Sequence, residues 1–81
     1  MERSALVEAP DAFAGFVLAE KLARLAPDAH VEPRGESFWV AAALELEQLP
    51  AALRIVQRWL QDERIDATRV RVSEREFRLA A

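Results

Sequence analysis

The segment RVRVSEREFRL, Arg69 to Leu79, changes phase halfway along. Val70 and Val72 occupy even positions and Phe77 and Leu79 odd ones, while a strand shows alternate side chains to opposite faces. One uninterrupted strand would therefore send half of this apolar surface to each side. A hairpin turning at Glu74-Arg75 puts Val72 opposite Phe77, Val70 opposite Leu79 and Ser73 opposite Glu76, and returns all four apolar side chains to one face. Glu-Arg is poor chemistry for the positive φ of a two-residue hairpin turn. A bulge or longer loop would move the register and keep the face.

Upstream of this hairpin the segments alternate. SALVE (4–8) reads as a short strand ending at Pro10. DAFAGFVLAEKLARL (11–25) reads as a helix with Asp11 as N-cap and Pro27 past its end, and with Phe13, Val17, Leu18, Leu22 and Leu25 on its apolar side. AHVEPRGESFWVAAALE (29–45) holds two extended runs around the turn signal Pro33-Arg34-Gly35-Glu36. With Arg34-Gly35 as the turn, Val31 faces Phe38 and Ala29 faces Val40. LPAALRIVQRWLQDER (49–64) is the clearest helix: Leu49, Ala52, Leu53, Val56, Trp59 and Leu60 form one stripe, with Arg54, Gln57, Arg58 and Gln61 opposite and Ile55 at the margin. Trp59 is expected in the core.

The order strand-helix-strand-strand-helix-strand, with the last strand folding back, predicts an α+β fold. It is that of a ferredoxin-like βαββαβ plait with an extra C-terminal hairpin strand and two helices on one face of an antiparallel sheet. The competing reading, αββαββ, leaves the N-terminal residues as a loose arm. Eighty-one residues make one small domain, 1–81, with a modest core.

Composition narrows the chemistry. The chain has no cysteine, which removes disulfides, thiolate nucleophiles and cysteine-based metal sites. MERSALVEAP is too poor in apolar residues for a signal peptide, and no run reaches membrane-spanning length, so a cytoplasmic protein without a membrane partner is expected. Arginine and alanine usage suggests a GC-rich bacterial genome. Residues 1–47 carry four basic and nine acidic side chains and residues 48–81 seven and five, for a net charge of −3; in a compact domain these halves interleave into a solvated surface.

No catalytic constellation emerges. His30 is the single histidine, with Asp28 and Glu32 at strand spacing, and is read as solvated and not as a metal ligand. Ser4, Ser37 and Ser73 lack a nucleophile-elbow setting, and two glycines cannot build a phosphate loop. The carboxylates of QDERID are interrupted by Arg64 at a helix end. A non-enzyme without cofactor or metal is expected.

What remains is the sheet face away from the helices, expected to carry His30, Glu32, Ser37, Trp39, Ala41 and Ala43 from the middle hairpin and Arg69, Arg71, Glu76 and Arg78 from the last. Trp39, flanked by Phe38 and Val40, alternates out onto this face. Trp39 with Arg71 and Arg78 is the candidate interaction site, since tryptophan and arginine favour interfaces. The first functional expectation is a non-catalytic protein-interaction or accessory module, binding a protein partner or a second copy of the chain through the open face or an edge strand. A regulatory domain holding a small ligand at a dimer interface is the alternative. An RNA-binding sheet ranks last, because paired aromatics are absent, lysine is nearly absent and the net charge is negative.

Overall fold

The computed structural model describes residues 2–81. It is an α+β fold in which two helices pack on a five-stranded antiparallel sheet. The elements are β1 (Glu2–Ala9), α1 (Ala12–Leu22), β2 (His30–Arg34), β3 (Ser37–Glu45), a short 3-10 turn (Leu46–Gln48), α2 (Leu49–Asp62), β4 (Ala67–Val72) and β5 (Arg75–Ala80). The sheet order is β2-β3-β1-β4-β5. β1 is thus central, paired along its whole length with β3 and through Ala5, Leu6 and Val7 with β4. A loose N-terminal arm is ruled out. β2 and β5 are the two edges.

The run Ala5-Leu6-Val7 is buried on both sides of the sheet, as a central strand requires. Ala5, Val7 and Ala9 join Val40, Ala42, Leu44 and Val70 in the core under the helices. Leu6 and Trp39 are also buried, but on the opposite face.

Both hairpins turn one residue away from their expected positions and keep their faces. In the last hairpin Val72 faces Arg75, Val70 faces Phe77 and Thr68 faces Leu79, so the turn is Ser73-Glu74 and not Glu74-Arg75. Ser73 takes the positive φ, 57°, at the first central position, and Ser73 N–H donates to the Ser4 carbonyl at 2.8 Å. In the middle hairpin Val31 faces Val40 and Pro33 faces Phe38, so Gly35-Glu36 replaces Arg34-Gly35. Gly35 has φ 62° there, a conformation that costs a residue with a Cβ about 1–2 kcal/mol. Each turn puts its positive φ first, as type II′ turns do.

Asp11 caps α1, its carboxylate accepting from the Ala14 N–H at 2.8 Å. The buried side of α1 is Ala14, Gly15, Leu18, Ala19 and Leu22. This corrects the expected apolar side: Phe13 is 74% exposed and Phe16 62%. The helix is apolar almost all round, so periodicity alone does not choose its inner side. Close approach does: a Cβ on Gly15 would sit 3.2 Å from Val31 Cγ2 and 3.5 Å from Ala9 Cβ. Small residues let the helix backbone settle onto the sheet, and the phenylalanines are left outside.

In α2, Ala52, Val56, Trp59 and Leu60 are buried, as the stripe indicated. The helix ends at Glu63, where Arg64 turns at φ 58°, Arg64 N–H donates to the Gln61 carbonyl and Ile65 N–H to the Leu60 carbonyl, the pair of bonds of a Schellman motif. No helix of the described residues is long and apolar enough to cross a membrane.

Candidate functional site

The face away from the helices is built by rows that cross the sheet. One runs Glu32, Trp39, Glu8 on β2, β3 and β1 and continues through Arg69 and Arg78 on β4 and β5. The next runs His30, Ala41, Leu6, Arg71 and Glu76. The residues expected on this face are there. Leu6 and Glu8 of β1 were missing from that expectation, and their signal lies in SALVEA: three consecutive apolar residues mark a strand covered on both sides.

Trp39 is only 7% exposed although it faces away from the helices. The Arg69 guanidinium lies over its ring, 5.4 Å from the centroid. The same guanidinium donates to Glu8 through two bonds, Nε to Oε1 at 3.0 Å and Nη2 to Oε2 at 2.6 Å. Planarity allows both, since a guanidinium stacks with its face and bonds with its edge. Arg69 is therefore committed within the chain, and Trp39 is closed over by the chain's own groups.

The Arg69 bond holds the Glu8 carboxyl below the ordinary glutamate range, and partial burial opposes this. A carboxyl lowered in the fold stabilises it above the unfolded value, and that contribution disappears as pH falls through the folded value. Urea midpoints should thus drop more steeply toward acid in the native chain than in Glu8→Gln, which lacks the titrating group. Equal slopes for the two would exclude Glu8 as a source of acid sensitivity.

Around this centre the other charges pair locally. Arg34 donates to Glu32 and lowers its carboxyl, with a smaller contribution from His30. The His30 ring lies 2.8 Å from the Asp28 carbonyl and 3.1 Å from Glu32, which together raise its imidazole above the ordinary range. Its side chain is 55% exposed, and among the described residues no group of three or more His, Asp or Glu is arranged to hold a metal ion. Arg71 meets Glu76 across β4–β5 at 3.4 Å. Arg78 has no carboxylate partner among the described residues and stands beside Arg69, a like charge directly opposite.

The two edges differ. The pair flanking a two-residue turn exchanges both ladder bonds, and alternate residues then aim their N–H and C=O away from the neighbouring strand. On β2 the outward residues are Val31 and Pro33, and proline has no N–H, so that edge is blunted. On β5 they are Glu76, Arg78 and Ala80, with both amides of the first two directed outward. The Ala80 carbonyl is taken by Gln57 Nε2 at 3.2 Å. Phe77, on the helix side of this edge, is 39% exposed.

Between the helices an open groove over Val17, Ala51 and Ile55 is walled by Lys21, Arg24, Arg54 and Arg58 with one carboxylate, Glu20. It brings together no acid-base pair. No family model, curated protein or solved structure matches the chain.

Proposed function

We propose that this chain is a non-catalytic protein-association module that works by strand addition along β5. The observation that carries the reading is the asymmetry of the edges: β2 is blunted by Pro33, while β5 offers unpaired outward amides at Glu76 and Arg78 beside an exposed Phe77. Strand addition draws affinity from main-chain bonds and specificity from alternate side chains, and both are present here. Among the residues expected at an interface, Arg78 takes the contact, Arg71 orients Glu76 next to it, and Trp39 supports the face by seating Arg69. The split order, in which β3 lies between β1 and β2 and β1 lies between β3 and β4, supports a ferredoxin-like plait with β5 added outside it. The absence of cysteine and the arginine-rich usage support a bacterial, cytoplasmic setting.

Arg78→Pro tests the edge. It deletes an outward N–H and no bond to β4, and edge strands tolerate such a proline. Light scattering should then show association lost while circular dichroism keeps its native form. Association unchanged in a folded Arg78→Pro chain would exclude β5.

A further inference from the structure

Resting on the strand-addition reading, we infer that the partner on β5 is a second copy of this chain, paired antiparallel about a two-fold axis through Phe77. Symmetry and hydrogen bonding leave few registers. Outward-directed residues must meet outward-directed residues, and helix-side residues must meet helix-side residues, so the axis passes through a residue and not between two. An axis through Glu76 opposes two carboxylates, and one through Arg78 opposes two guanidinium groups; like charges directly opposite are unfavourable. An axis through Phe77 places Glu76 opposite the copy's Arg78, and Arg78 opposite the copy's Glu76. The segment Glu76-Phe77-Arg78 is complementary to itself.

Each of those two pairs exchanges both main-chain bonds, which satisfies the outward amides of the edge. The two Phe77 rings meet at the pair without ladder bonds, where side chains approach most closely. They lie on the helix side, so the partner covers the surface that leaves Phe77 39% exposed. Arg78, which has only Arg69 opposite it within its own chain, gains a carboxylate. The product is one continuous sheet with both helix layers on the same side. A partner with the reverse charge order would serve equally well chemically, but the chain itself already supplies it.

The test uses the absence of cysteine. Phe77→Cys places one thiol per copy on the axis, and mild oxidation should convert the chain to a disulfide-linked dimer. Arg75→Cys, facing residue 79 of the copy and not itself, should stay unlinked under the same conditions. Independently, Arg78→Glu and Glu76→Arg should each give the mass of one chain at concentrations where the native chain has the mass of two, and the double swap should restore the dimer. A dimer in which Phe77→Cys fails to link and the swaps change nothing overturns this register; if that dimer is still dispersed by Arg78→Pro, edge addition survives. A native chain of single-chain mass at every concentration overturns the second-copy assignment.

Discussion

Trp59→Ala should lower unfolding stability by about 3–5 kcal/mol. Trp59 is completely buried, and its indole N–H donates to the Ala14 carbonyl at 3.0 Å, tying α2 to the first turn of α1. Truncation removes the largest fully buried side chain among the described residues and takes the indole donor away from a buried helix carbonyl. A domain of this size has a total stability of only roughly 5–10 kcal/mol, so the variant should be near its unfolding threshold at room temperature. Urea titration followed by circular dichroism measures the loss. Trp59→Phe separates the two contributions, keeping most of the volume and losing only the bond. A midpoint within error of the native value in Trp59→Ala would mean that the helices are not held together at this point.

The second large effect is expected at Trp39, where Trp39→Ala should cost about 3 kcal/mol and leave association intact in the fraction that is folded. The ring is nearly as inaccessible as a core residue although it lies on the open face, and it supports Arg69. Two strands, β1 and β4, separate it from β5. Light scattering on folded Trp39→Ala should therefore show the native mass. If the variant keeps full stability and loses association, the interface lies on the sheet face over Trp39 and not at the edge.

Trp39 also shows what was legible in the sequence and what was not. Alternation with Phe38 and Val40 correctly places it away from the helices. Its burial depends on Glu8 and Arg69, sixty-one residues apart, and no local pattern reports such a pairing. The same division holds elsewhere. The phase change between Val72 and Phe77 reveals a hairpin and its inner face, because both follow from period-two geometry. The turn position depends on which residue accepts φ near +60°, and the chain uses Ser73, where composition offers no glycine. In α2 the stripe is narrow and its buried side is readable. In α1 apolar residues surround the axis almost completely, both phenylalanines ending on the solvent side, and the inner side is decided by how closely Gly15 approaches Val31. The edge asymmetry was latent in Pro33, whose meaning appears only when β2 is known to be outermost.

The central place of β1 has a consequence for how the protein is made. The β2–β3 and β4–β5 hairpins are joined in the sheet only through β1, and its pairing with β4 brings residues 5–7 to residues 70–72. During synthesis β1 emerges ahead of the other four strands of the sheet, and one of its flanks must wait until β4 has been made. Until Val72 has left the ribosome, that flank is an open strand beside an uncovered patch of Ala5, Leu6 and Val7, the kind of exposed surface that nascent-chain chaperones shield. Closure of the sheet is therefore a late event, delayed further by the entropy of so long a loop.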